Sequence, residues 1–307
     1  MKIAIIGTGR VGSSIAYSLV LQQSCDHLVI AGRSYDKAMG DALDLQHTLA
    51  FNSRSIRIEA CVNEQVKDAD IIVITASIST EGQSITSRMQ LGEGNVALFK
   101  ELIPVVATNN PNAILVIVTN PVDVMTYAAS KISGFLPERV IGIGTLVDSA
   151  RFRTLLSQEK HIHPDDLRTY ILGEHGPNQF PILSSAEAGG ERIHDTPRHR
   201  ELFNQVIEAG FEVYKLKGYT NYAISSATCM VIEAIVFDQC RTMPLATRFD
   251  EWIGIRDNCF SIPVVIGRQG ILRFLHPEMN NQERNSLVNA AKNIKETIVS
   301  LLPDLAD

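Results

Sequence analysis

Through the first half of the chain, short apolar runs alternate with stretches whose apolar residues recur at helical spacing. Runs at 2–6, 27–31, 71–75, 114–118 and 140–144 carry few polar residues, as strands do when both faces of a sheet are covered. A helical run continues from the glycines at 7–12 to Leu21, a second helix spans 34–47, and another begins near Arg88. Strands and helices in alternation predict a parallel sheet with helices on both faces. Past residue 144 the rhythm changes. A strand is predicted at 167–172, helices at 198–217 and 220–237, a β pair across 260–275 and a closing amphipathic helix at 281–302. The expected fold class is α/β, a doubly wound parallel sheet over residues 1–144 followed by a mixed α+β domain over 145–307. With no linker or repeat between them, the halves are expected to pack directly and leave a cleft at their junction.

Composition narrows the partners. The 307 residues are 45% hydrophobic, enough for a large core, and the net charge of −6 is spread along the chain. Neither a basic stripe for nucleic acid nor a polybasic membrane patch is present. Five cysteines without ligand-like spacing fit reduced thiols, hence a cytoplasmic protein. The apolar run after Met1 is too short for a secretion signal, and no segment reaches membrane-spanning length.

Gly7, Gly9 and Gly12 stand as G-x-G-x-x-G between the first strand and the first helix. In that setting the first glycine permits a tight turn, the second lets backbone approach a pyrophosphate, and the third packs helix against strand. Dinucleotide binding is the expectation; a plain connecting turn is the alternative. An NAD-binding unit places an acid at the end of its second strand, on the ribose hydroxyls. Here that strand ends in Gly32, Arg33 and Ser34. A carboxylate there would repel a 2′-phosphate by about 4 kcal/mol at 4 Å and an effective dielectric of 20. Its absence, with Arg33 beside it, favours NADP over NAD. An exposed arginine that binds nothing is the other reading.

Two charged clusters occupy apolar surroundings, Asp148-Ser149-Ala150-Arg151 and Gly173-Glu174-His175-Gly176. A histidine, a carboxylate to orient it and an arginine to hold an acid substrate are the parts of an acid/base centre. Asp148 and Arg151, three apart, also suit an ordinary helix-surface ion pair. Asn120 follows an apolar strand at the end of the sheet where ligands bind, or serves as a turn former. The small, polar stretch 77–87 reads as a mobile lid that carries Arg88 into the site when it closes.

These motifs, with Thr119-Asn120-Pro121-Val122-Asp123, Lys217-Gly218-Tyr219-Thr220 and Ser261-Ile262-Pro263, resemble the L-lactate/malate dehydrogenase superfamily over essentially the whole chain. The resemblance implies a Rossmann-type first domain and hydride transfer between a nicotinamide cofactor and an L-2-hydroxy acid. It implies that His175 is the proton donor and acceptor, Asp148 its partner, and Arg151 the fork for substrate carboxylate. Arg88 would polarise the reacting carbonyl. Asn120 would bond near it and to the cofactor region, and Thr220 and Ile224 would line the substrate and nicotinamide pocket. A homodimer or homotetramer is implied, with the helix at 34–47 resembling the dimer face.

Departures from the family pattern bear on specificity. Malate dehydrogenases carry a lid arginine six residues before the loop arginine, and here that place is Gly82. Gln83 stands near the spot where lactate dehydrogenases have glutamine, and the lid is two residues longer. A dicarboxylate would leave a charge poorly paired, so malate is disfavoured. The longer lid, Asn178-Gln179-Phe180 and Gly218-Tyr219-Thr220-Asn221-Tyr222 are similar to the L-2-hydroxyisocaproate dehydrogenase branch, which takes bulkier 2-oxo acids. Arg153 and Arg168 resemble positions that bind a sugar bisphosphate in activated bacterial lactate dehydrogenases; solvated charges are the simpler reading. The alternatives to this enzyme are a non-catalytic dinucleotide sensor, or a malate dehydrogenase if the lid acts otherwise.

Overall fold

The structure is a computed structural model that describes residues 1–78 and 88–306, and at 88 and 89 the backbone only. Six strands form the parallel part of the sheet: β1 (Lys2–Ile6), β2 (His27–Gly32), β3 (Arg57–Val62), β4 (Ile71–Ile74), β5 (Ile114–Ile117) and β6 (Val140–Gly142). Their order is β3-β2-β1-β4-β5-β6, and every neighbouring pair is parallel. β1, β4 and β5 are almost wholly buried, which explains their unbroken Ile and Val content. Five helices accompany these strands: α1 (Arg10–Gln22), α2 (Tyr35–Thr48), α3 (Arg88–Asn109), α4 (Val122–Ser133) and α5 (Leu146–Lys160).

The glycine turn between β1 and α1 is dictated by close packing. Gly7 has φ +121°, and a Cβ on Gly12 would fall 1.9 Å from the Gly7 carbonyl oxygen. Beside Gly9, by contrast, a Cβ would meet nothing within 4 Å, so the turn is open on the side a pyrophosphate would approach. Ser34 ends the next strand by capping α2, its hydroxyl accepting from the Lys37 N–H at 3.4 Å.

The second half is antiparallel. β7 (Leu167–Gly173), β8 (Gln179–Ala188), β9 (Glu191–Arg192), β10 (Arg241–Trp252), β11 (Ile255–Gly267) and β12 (Gly270–Phe274) are covered by α6 (Pro197–Lys217), α7 (Tyr222–Val236) and α8 (Asn281–Leu301). β10 and β11 form a long hairpin, and the pair Gly142 and Ala246 joins β6 to β10 so that one sheet path runs through the molecule. The core is continuous too. Ile3, Phe99, Tyr127, Trp252 and Leu287 belong to one buried cluster, and a smaller one gathers around Phe152, Leu156 and Ile171. Direct packing of the halves is therefore observed.

The strands at 57–62, 179–188 and 241–252 were not expected. β3 lies at a sheet edge, with an Arg-Ile-Glu-Ala-Cys-Val sequence that is neither uniformly apolar nor alternating. β10 is interrupted by Pro244, Arg248 and Asp250, and only its pairing with β11 makes it a strand. The predicted helix at 220–237 begins at Tyr222, so Thr220 lies in the approach to it. Among the described residues, no helix is long and apolar enough to cross a membrane.

Candidate active site

A cleft of about 660 Å³ opens at the carboxyl ends of β5 and β6, where the parallel sheet meets α5, α6 and α7. Asn120, Asp148, Arg151, His175, Thr220 and Ile224 all line it. These residues lie up to 104 positions apart in the chain, and each arrives for a local reason. Asp148 and Arg151 lie one turn apart on α5, whose first turn follows β6. His175 follows β7, which Gly173 ends with φ +88°.

The three charged side chains form one hydrogen-bonded unit. One oxygen of Asp148 meets His175 Nδ1 at 2.6 Å, and the other accepts from the Arg151 guanidinium at 2.9 Å. The Asp148 side chain is 3% exposed, against 31% for His175, so the carboxylate is enclosed while the ring reaches the cleft. With Nδ1 committed to Asp148, Nε2 is the nitrogen left for a substrate. Burial opposes the charge on Asp148, but the His175 hydrogen bond and charge, and then Arg151, hold its carboxyl below the usual range. Burial likewise opposes the charged imidazole; the hydrogen bond and charge of Asp148, with Asp123 adding to them, raise His175 above its ordinary value.

Asn120 presents its side chain at the cleft while its carbonyl accepts from Asn95 at 2.7 Å. Asn95, fully buried on α3, also accepts from the Ser77 hydroxyl at 3.1 Å and the Ile78 N–H at 2.8 Å. It ties the segment after β4 to the segment after β5. Sequence reading missed it because an asparagine inside an amphipathic helix has no local mark. Arg88 opens α3, but its side chain, together with Gln83, Gly82 and the lid expected at 77–87 beyond Ile78, lies outside the described residues.

The α6 wall was also missed. Ile207, Gly210, Phe211 and Tyr214 line the cleft at helical spacing, and a Cβ on Gly210 would come within 3.3 Å of the Arg151 guanidinium. The sequence alone carried no mark of it, because only the folded structure shows that Phe211 stays 73% exposed. Toward the other end of the cleft, Arg10 lies 4.0 Å over the Tyr219 ring, and Lys217 caps the Tyr219 and Tyr222 rings. Asn221 donates to the Ser14 hydroxyl at 2.7 Å, so α1 and the Thr220 segment are fastened together.

The residues from which a coenzyme preference was expected are placed as follows. Gly32 is buried, and a Cβ there would lie 3.1 Å from the Thr8 methyl. Arg33 is exposed. Arg153 and Arg168 stand apart from the cleft, lining a second cavity of about 380 Å³ with Arg241, Asp165 and Tyr170.

Strand order, glycine turn and a charged cluster at the carboxyl ends of the strands define the dinucleotide-binding α/β class. Residues 1–142 match the lactate/malate dehydrogenase NAD binding domain, and residues 145–302 match the lactate/malate dehydrogenase alpha/beta C-terminal domain. The chain belongs to the lactate/malate dehydrogenase family. It is 36% identical over 309 residues to the L-lactate dehydrogenase of Gloeobacter violaceus, covering 97% of this chain and 92% of that one. It is also 36% identical over 306 residues to the L-lactate dehydrogenase A chain of Fundulus heteroclitus, covering 95% and 91%. A crystal structure of a lactate dehydrogenase enzyme from a Medee basin deep-sea metagenome library superposes with a TM-score of 0.93 at 31% identity, over 98% of both chains.

Proposed function

We propose that this protein is an NADP-linked L-2-hydroxyacid dehydrogenase acting on a 2-oxo acid such as pyruvate or a bulkier branched analogue. The coarser function, a lactate-type oxidoreductase that uses a nicotinamide cofactor, is common to the relatives it resembles. The observation that carries the reading is the single Asp148 carboxylate that holds both His175 and Arg151. A non-catalytic dinucleotide sensor has no use for that unit.

The bound nicotinamide would give or take the hydride at the substrate carbonyl carbon. Arg151, one guanidinium nitrogen anchored on Asp148, offers the rest of its fork to the substrate carboxylate. His175 passes a proton from Nε2 to the reacting oxygen, while Asp148 stabilises the imidazolium before the transfer. Arg88 stabilises the developing oxygen charge, as the family resemblance implies. Asn120 fixes the carbonyl from the sheet side, and Thr220 and Ile224 close the nicotinamide side. Ile207 and Phe211 supply an apolar wall suited to a substrate larger than pyruvate, while Gly210 leaves space for the Arg151 guanidinium. Gly7, Gly9 and Gly12 suit a pyrophosphate, since the turn is open beside Gly9. NAD remains the alternative coenzyme. Support for NADP is the buried Gly32 in place of an acid, with the exposed Arg33 next to it and the hydroxyl of Ser34 on the same turn.

Residues 1–144 and 145–307 are read as two domains, supported by the single residue pair that joins β6 to β10. A homodimer or homotetramer is supported by apolar side chains left exposed on α1, α2 and α6, among them Leu21, Leu43 and Leu216, and a cytoplasmic location by the free cysteines. An anionic effector at Arg153 and Arg168 is supported by Arg241 in the same cavity and by the buried Arg153 Nε, which has no partner among the described residues. Fructose bisphosphate without effect on apparent substrate affinity would remove that reading.

The test is a panel of pyruvate, branched 2-oxo acids and oxaloacetate, each with NADPH and NADH. Higher kcat/KM with NADPH and a branched acid is expected, and Arg33→Ala should lower the NADPH value by about tenfold, the equivalent of roughly 1.4 kcal/mol, and leave NADH unchanged. A strong NADH preference overturns the coenzyme assignment, and no turnover with any 2-oxo acid overturns the enzyme.

A further inference from the structure

Asp123 is the second residue of α4, 2% exposed, and beyond its charge at His175 no role above uses it. Its Oδ2 accepts from the His175 backbone N–H at 2.8 Å. Its Oδ1 is buried with no hydrogen-bond partner among the described residues. The segment it grips lies between Gly173, with φ +88°, and Gly176, so the backbone on both sides of His175 has wide conformational latitude. Beyond Asp123, the held points on this segment are the ring Nδ1 on Asp148 and the Glu174 carboxylate, which accepts from Asn178 at 2.6 Å.

We propose that Asp123 is a positioning residue for His175, its carboxylate anchoring the histidine backbone and so setting where Nε2 is presented in the cleft. The inference rests on the assignment of His175 as the acid/base. Two anchors at once, one on the backbone and one on the ring, leave the imidazole little freedom to shift or turn. A displacement of about 1 Å in a catalytic group can cost on the order of a hundredfold in rate.

A neutral acceptor would serve a purely structural anchor at lower cost, because a buried carboxylate with an unmet oxygen is expensive. Burial pushes the Asp123 carboxyl up to about 7, against the lowering effect of the His175 N–H and imidazole. Above that pH the ionised carboxylate has a second effect, raising the proton affinity of the ring it anchors. The groups that act on Asp123 are His175 and Glu174 from the loop after β7 and Asp148 from α5. Arg151 of α5 opposes it at His175, and Cys259 of β11 feels its charge from the other side. Farther out, Arg248 of β10, Asp257 of β11 and Lys295 of α8 form an ion cluster among themselves.

The test combines an NMR titration of the His175 imidazole in the full-length protein, assigned by its absence in His175→Gln, with steady-state rates across pH. Asp123→Asn keeps an acceptor for the His175 N–H and removes the charge. It should fold, hold kcat within about threefold, and titrate the imidazole at lower pH than the wild type, with the pH–rate profile moving the same way. Asp123→Ala removes the anchor and should lower kcat by about tenfold or more, with cofactor KM little changed. An unshifted imidazole titration in Asp123→Asn, or wild-type kcat in Asp123→Ala, overturns the inference. Loss of turnover in both variants with the imidazole titration unmoved assigns Asp123 to folding alone and overturns it equally. If the wild-type protein reduces no 2-oxo acid, the functional reading fails by itself, and the imidazole titration still decides whether Asp123 governs His175.

Discussion

At the scale of single residues, the chemistry is concentrated in one shared carboxylate. Asp148 binds an imidazole and a guanidinium through different oxygens, so the ring tautomer and the orientation of the fork are set together. Arg151→Lys keeps the positive charge but loses the planar fork. The expected loss is about 2–3 kcal/mol of transition-state binding, roughly 30- to 150-fold in kcat/KM for a 2-oxo acid, with the protein still folded. A near wild-type kcat/KM would mean that the carboxylate is held elsewhere. The pH dependence has a definite sign. With His175 as the proposed proton donor, its raised pKa predicts that reduction of a 2-oxo acid falls as pH rises through that raised value, while oxidation of the hydroxy acid gains, as rates measured across pH in both directions would show. The stability that His175 contributes is fully present below its ordinary value of about 6.5 and is lost as pH rises through its raised folded value. Asp148 has the opposite sense. Its depressed pKa contributes stability above about 3.9 that is lost as pH falls through its folded value.

Among elements, the site depends on joints between segments that are far apart in the chain. Asn95 of α3 is the clearest joint, with hydrogen bonds to Ser77, Ile78 and the Asn120 carbonyl from a fully buried position. Replacing it by alanine leaves three polar groups without that partner. Asn95→Ala should cost about 2–4 kcal/mol of stability in urea unfolding and raise substrate KM, because Asn120 loses its backbone tether. A loss below about 0.5 kcal/mol would show that the joint carries no strain. The fold was legible at this scale wherever a strand was buried on both faces. Uniform Ile and Val runs announced β1, β4 and β5, while β3 and β10 went unseen because their partners, not their composition, make them strands.

Taken as a whole, the molecule leaves apolar side chains on several outward faces. Tyr35 and Leu43 of α2 are about half exposed, as are Tyr17 and Leu21 of α1. Such residues on neighbouring helices suit burial by a second copy of the chain. Sedimentation equilibrium should give a dimer or tetramer, and Leu43→Glu should shift it toward the single chain while leaving the cleft residues in place. A single-chain mass for the wild-type protein at micromolar concentration would exclude the oligomer.

The sequence by itself determined the order of the elements in the first half, the glycine turn and the identities of His175, Asp148 and Arg151, because these follow from local periodicity and from short motifs. The proposed NADP preference likewise rests on Gly32, Arg33 and Ser34, neighbours in the sequence. Only the tertiary structure decided that α6 forms a wall of the cleft, that Asn95 joins two loops, and that Asp123 grips the backbone of His175. Those contacts link residues 17 to 59 positions apart, and no local pattern encodes a contact whose partner is brought near only when the sheet and its helices close on one another.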